Sequence, residues 1–191
     1  ILHRPNESMS RYTTDVAGFW ERGYVIERGV FTPAEMAVVK RVVDTNAAMR
    51  AHAEYVRQKE VREGTRPSFD SIFVWNDARH ADVFAKVIRS PKLMDRLEAI
   101  FGDDVYVYHT KVALKYPGVV GFDYHQDYAY WYDMGNLWPD MATIFVAVDP
   151  ATQENGCLRL IEGSHKLGRQ NHELRDGVSD SGVDPERLAV I

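Results

Sequence analysis

Apolar residues in the first hundred positions recur at helical spacing, whereas later they gather in short runs of β-branched and aromatic side chains. Phe19-Trp20-Glu21-Arg22-Gly23 predicts a short helix stopped by Gly23, with Tyr24-Val25-Ile26 extended after it. Thr32-Pro33-Ala34-Glu35 is a capping box: Thr32 is the N-cap, Pro33 takes the first helical position and Glu35 reaches back. The helix it opens carries Val39, Val42 and Val43 and runs to about Arg62, where Gly64-Thr65-Arg66-Pro67-Ser68 breaks it. Ser90-Pro91 opens another, with Leu93, Met94, Leu97 and Ile100 on its apolar side and Gly102 as its stop.

From Asp103 the period changes. Residues 105–114 predict a strand that ends at Pro117-Gly118, and residues 119–130 a second. Residues 141–148 predict a third, closed by Asp149-Pro150, and residues 157–161 a fourth between Asn155-Gly156 and Gly163-Ser164. Nothing helical separates these runs. Helices over about 1–102 and strands over about 103–191 predict one α+β domain, mainly β in its second part, built as an antiparallel sandwich or barrel.

Composition narrows the partners. The chain has 191 residues, 45% of them hydrophobic and 27% charged, enough apolar material for one domain core. Its net charge of −5 offers no general attraction for nucleic acid or anionic lipid, so a small-molecule partner is expected. No apolar run approaches the ~20 residues of a membrane helix, and Ile1-Leu2-His3-Arg4-Pro5 has no apolar signal-peptide segment. The single cysteine, Cys157, predicts a reducing, cytoplasmic setting. The chain starts at Ile1 and stops at Ile191 inside an apolar segment, so a longer protein is expected.

His125-Gln126-Asp127 carries the most chemistry. On a strand, residues i and i+2 share a face about 6.6 Å apart, so an imidazole and a carboxylate can converge on one ion. On a helix the same pair would point roughly 200° apart. One His and one carboxylate, completed by a second His, suit non-haem Fe(II) with open positions, and the same donors also serve catalytic zinc. A solvated surface pair is the plain alternative.

Downstream come Phe145-Val146-Ala147-Val148-Asp149 and Glu154-Asn155-Gly156-Cys157-Leu158-Arg159-Leu160-Ile161-Glu162-Gly163-Ser164-His165. With His125-Gln126-Asp127 and the opening Gly23-Tyr24-Val25-Ile26, this order resembles the phytanoyl-CoA dioxygenase family of Fe(II)/2-oxoglutarate oxygenases. Glu162 stands where that family's turn has Pro. The resemblance implies a double-stranded β-helix (a jelly roll) with helices packed outside, Fe(II) held by His125 and Asp127, and 2-oxoglutarate and O2 as cosubstrates. The implied activity is hydroxylation of a small molecule with release of succinate and CO2.

The same resemblance implies that Lys111 contacts the cosubstrate and that Phe145 takes an equivalent place on a later strand; a solvated lysine and a core phenylalanine are the plain alternatives. It also implies a distal His ligand and an Arg that clamps 2-oxoglutarate. His165 falls on a turn where the family's His is not a ligand, His172 lies in a polar stretch that reads as loop, and Arg187 does not match the clamp. Both missing residues are expected beyond Ile191.

In the aromatic run, strand alternation puts Trp131 on the face of His125 and Asp127, and Tyr124, Tyr128 and Tyr130 on the other. Sandwich core is one reading. The other makes Tyr128, Tyr130 and Trp131 a substrate wall able to hold a cationic amine. His109 reads as structural, His52 and His80 as exposed, and Cys157 as a small buried residue. A non-catalytic jelly-roll binding module and a metal hydrolase on a similar barrel remain as alternatives.

Overall fold

In the computed structural model, residues 11–63, 72–74, 82–115, 122–173 and 182–190 are described. His80, the 64–68 breaker, Pro117-Gly118, Val119 and Val120 lie outside them. The order is α1 (Val16–Arg22), α2 (Pro33–Thr45), α3 (Ala47–Glu63), β1 (Ile72–Val74), α4 (Val83–Ile88), α5 (Pro91–Phe101), β2 (Lys111–Ala113), α6 (Asp127–Asp133), a 3-10 turn (Ser164–Leu167), β3 (His172–Glu173), β4 (Gly182–Val183) and α7 (Pro185–Leu188).

The helical half follows its end signals. Thr32 accepts from the Glu35 N–H while the Glu35 carboxylate accepts from the Thr32 N–H, and Gly23 and Gly102 stop α1 and α5 in left-handed conformations. The single predicted helix from 33 to about 62 is instead two. Asn46 ends α2 by donating its N–H to the Val42 carbonyl, and its side chain caps α3 by accepting from the Met49 N–H at 2.9 Å. Val39, Met49, Ala53, Ala85, Leu93 and Ile100 are buried among α2–α5. Lys92 of α5 joins the capping box, 2.7 Å from Glu35, and holds that carboxyl down at about 2.

Helix α1 is tied to the far end of the chain. Gly23 donates to the Phe19 carbonyl at 2.7 Å, His165 Nε2 donates to the Trp20 carbonyl at 2.9 Å and Gly163 donates to the Arg22 carbonyl at 2.7 Å. These donors satisfy three carbonyls that a helix end leaves without intrahelical partners. Gly23 is required twice: its φ is 86°, and a Cβ there would lie 2.3 Å from His165 Nδ1. His165 is thus a helix-capping residue.

Strand formation is sparser than predicted. Of residues 105–114, Lys111–Ala113 alone form strand, paired antiparallel with β1 so that Phe73 faces Val112. Residues 141–148 and 157–161 form no strand; without a ladder partner an apolar run stays irregular, and Phe145, Leu158 and Leu160 are each more than half exposed. The run expected to remain extended to Tyr130 becomes α6 from Asp127. Asp127 in its first turn complements the helix dipole, and Tyr128 and Tyr132, one turn apart, meet edge-to-face at 5.9 Å. The second two-stranded sheet pairs β3 with β4, and β4 docks on the segment before α6, with Val183 donating to the Tyr124 carbonyl at 2.8 Å. A Cβ on Gly182 would meet Asp123 Cβ at 3.0 Å, so the approach depends on glycine.

Candidate metal centre

His125 and Asp127 do converge, although not on a strand. His125 lies in the irregular residues before α6, Gln126 is the N-cap with extended φ −103° and ψ 126°, and Asp127 is the first helical residue. The bend at this junction brings His125 Nε2 to 3.4 Å from Asp127 Oδ1. Cis donors on an octahedral ion with bonds of about 2.1 Å stand about 3.0 Å apart, so a shift of a few tenths would let both atoms share one ion.

The protonation states also suit ligation. His125 Nδ1 lies 2.7 Å from the Asp123 carbonyl, which can only accept, so Nδ1 carries a proton and Nε2 is the nitrogen that meets Asp127. Without an ion Nε2 bonds that carboxylate only as N–H in the protonated ring, and a bound cation would take that proton's place. Asp127 is held down at about 2, first by its hydrogen bond with His125 and then by Thr143, against the opposing effect of burial. Thr143 Oγ1 donates to Asp127 Oδ2 at 2.5 Å, which leaves Oδ1 facing the imidazole. About a third of each side chain remains exposed, so an ion can reach the pair.

Helical spacing regroups the aromatic residues. Tyr130 and Trp131 follow Asp127 by three and four positions and share its side of α6, which corrects the expected placement of Tyr130 on the opposite face. The Tyr130 ring lies 5.7 Å from His125 and 4.5 Å from His172. Trp131 meets Tyr108 at 5.1 Å and His109 at 5.3 Å, and Lys111 Nζ sits 5.8 Å over its ring. Lys111 also helps to hold Asp127 ionised. Tyr128 is engaged elsewhere, donating to the Leu137 carbonyl at 2.8 Å. Phe145 is 67% exposed and is not drawn into this cluster.

Several contributors carried no sequence signal. Thr143 lies in an aliphatic run, and Asp123 acts through its backbone. His109 joins the Trp131 face; burial, then the Lys111 charge, lowers its pKa, and its buried Nδ1 has no hydrogen-bond partner. His172, expected in a loop, forms β3 with its ring 6.4 Å from that of His125. Burial and then the His125 charge lower its pKa, and its Nε2 accepts the Gln126 N–H at 3.0 Å, so that nitrogen is already engaged. Arg187 donates from Nε to Gln170. Among the described residues no three His, Cys, Asp or Glu side chains gather as a metal-binding group. His125 and Asp127 therefore fit a divalent ion as two donors of a larger set.

Residues 19–184 match the profile of the phytanoyl-CoA dioxygenase (PhyH) family. An ectoine dioxygenase of Streptomyces anulatus is 28% identical over 173 residues, 87% of this chain and 56% of that protein. Another, from Streptomyces coelicolor, is 30% identical over 154 residues, 75% of this chain and 48% of that protein. An L-proline trans-4-hydroxylase of Streptomyces griseoviridis is 35% identical over 99 residues, 50% of this chain and 37% of that protein. The chain spans about half the length of the curated relatives it matches. No solved structure matches it. No helix among the described residues is long and apolar enough to cross a membrane. The chain belongs to the phytanoyl-CoA dioxygenase family.

Proposed function

We propose, with that family membership as premise, that this chain carries part of the active site of an Fe(II)- and 2-oxoglutarate-dependent dioxygenase that hydroxylates a small molecule. The observation that carries the reading is the facing pair His125 Nε2 and Asp127 Oδ1, with the imidazole proton held on the far nitrogen by Asp123. The remaining protein ligand comes from outside the described residues, and the complete fold is the double-stranded β-helix expected from the family. Bound iron would supply O2 activation coupled to oxidative decarboxylation of 2-oxoglutarate.

The protein's own residues divide the rest of the work. His125, then Thr143 and the Lys111 charge favour the Asp127 anion, and the Thr143 hydrogen bond orients it, so the site is ready for a cation at neutral pH. Lys111 carries the positive charge beside the site and can pair with a cosubstrate carboxylate. Trp131 and Tyr130 set aromatic rings beside it, against His109 and His125, and these rings form one wall for a small molecule, the class named for the ectoine and proline relatives. A non-catalytic jelly-roll binding module draws on one observation, the two-donor set among the described residues.

Anaerobic addition of Fe(II) and then 2-oxoglutarate should produce the weak visible band of the chelate in the wild type, with succinate released once O2 and substrate are supplied. His125→Ala and Asp127→Ala should abolish both signals. Persistence of the band or of succinate release in either variant overturns the assignment.

A further inference from the structure

The residue between the two ligands makes more hydrogen bonds to the rest of the chain than its position in a short motif suggests. Gln126 Nε2 donates to the Gly168 carbonyl at 3.0 Å, and its Oε1 accepts the Gln170 N–H at 2.7 Å. Its backbone N–H donates to His172 Nε2 at 3.0 Å. Gln170 is in turn 3% exposed, the one buried polar residue among those described. Its amide donates to the Leu167 carbonyl at 2.9 Å, and its oxygen accepts from Arg187 Nε. The side-chain oxygen and nitrogen of Gln126 and of Gln170 therefore all have partners, and every partner lies 42 or more residues from Gln126 or within the 167–187 segment.

These bonds act on the ligand pair through the backbone. Gln126 is the N-cap of α6 but gives it no side-chain cap. N-cap positions favour Ser, Thr, Asp and Asn because their short side chains reach back to the helix. Here the longer glutamine reaches away from the helix and is fixed to another segment. The rotation of the Gln126 backbone sets the angle between His125 and the helical residue Asp127, and that angle bears on the 3.4 Å separation of Nε2 and Oδ1. A partly buried amide with both ends bonded resists such rotation, since turning it leaves buried polar groups unpaired.

We infer that Gln126 is a positioning residue for the metal centre, held by Gln170 and His172, and that this network sets the bite of the His125–Asp127 pair. The inference rests on the metal-centre reading above and adds a role for the middle position of the motif. It also gives Gly168, Gln170 and His172 a function: they are the anchor against which the ligand pair is aligned.

The test uses Co(II), which replaces Fe(II) without air oxidation and whose visible absorption reports ligand geometry. Gln126→Leu should weaken Co(II) binding about tenfold, at the lower end of what loss of an orienting partner costs a metal site, and should change the shape of the d–d bands. Gln170→Leu should do the same, and the double variant should be no worse than either alone, because both substitutions break one network. Gln126→Glu, which keeps the acceptor for the Gln170 N–H but loses the donor to the Gly168 carbonyl, should also weaken binding and alter the bands, and a fully wild-type spectrum would overturn the role of that second bond. Unchanged affinity and band shape in both leucine variants, with Co(II) bound normally by the wild type, overturns this inference alone. A lowered melting temperature with an unaltered Co(II) spectrum overturns it too, since that is what a purely structural role gives. Failure of the wild type to bind Co(II) overturns the metal-centre reading and this inference with it.

Discussion

Thr143→Val removes one hydroxyl and keeps the side-chain shape, so it isolates the hydrogen bond to Asp127 Oδ2 at 2.5 Å. Hydrogen bonds to charged groups are worth ~1.5–3 kcal/mol when buried. About a third of the Asp127 side chain is exposed, so water can replace part of the loss, and the lower end, ~1.5 kcal/mol, is expected. That amounts to about tenfold in affinity. The carboxyl would rise from about 2 towards its ordinary 3.8 and would stay ionised at neutral pH. The tenfold loss at pH 7 therefore reports orientation, because either oxygen of an untethered carboxylate can then turn to His125. Co(II) titration of Thr143→Val and Thr143→Ser at pH 7 and near pH 5 measures it: Val should bind about tenfold more weakly at both, and Ser should match the wild type. Equal affinity for Val and wild type, or equal losses in Val and Ser, would refute the reasoning.

Further outcomes follow from other contacts. Gly23→Ala should destabilise the protein by ~2 kcal/mol or more, combining left-handed strain with displacement of His165, and should lower the thermal midpoint. Asp127, whose folded pKa is below its ordinary value, contributes stability that is complete above about pH 5 and is lost as the pH falls from 3.8 through about 2. Allowing for solvent screening, that contribution is ~1 kcal/mol, and urea denaturation of the metal-free protein should show the total loss of stability on the acid side smaller by this amount in Asp127→Asn. His165→Ala should leave Co(II) binding intact while lowering the thermal midpoint, because His165 caps α1.

Much of the helical half was legible because its signals are local. A capping box needs four consecutive residues and a Gly stop needs one, so Thr32-Pro33-Ala34-Glu35, Gly23 and Gly102 could be read directly. Asn46 was overlooked since a single polar residue in a helical pattern is ordinary; its double role as end and cap appears only in the hydrogen bonds. The aromatic run after Asp127 misled for a related reason. Tyr and Trp favour strands on average, but that preference measures packing on a pleated surface, and Tyr128 and Trp131 found their partners from a helix. The approach of His125 to Asp127 was expected from their spacing on a strand, but the geometry that produces it is a junction. Thr143, Gln170 and the Asp123 carbonyl were invisible, as each comes from a separate stretch and carries no motif.

The bond between His165 and Trp20 spans 145 residues and has a consequence for synthesis. At ribosomal rates of about 5–20 residues per second, the imidazole emerges roughly 7–30 s after the carbonyl it serves. A seven-residue helix has little stability of its own, so until then water must serve that end of α1. Newborn chains thus carry an unfinished turn at the end of α1 for seconds, until the segment around His165 has been made.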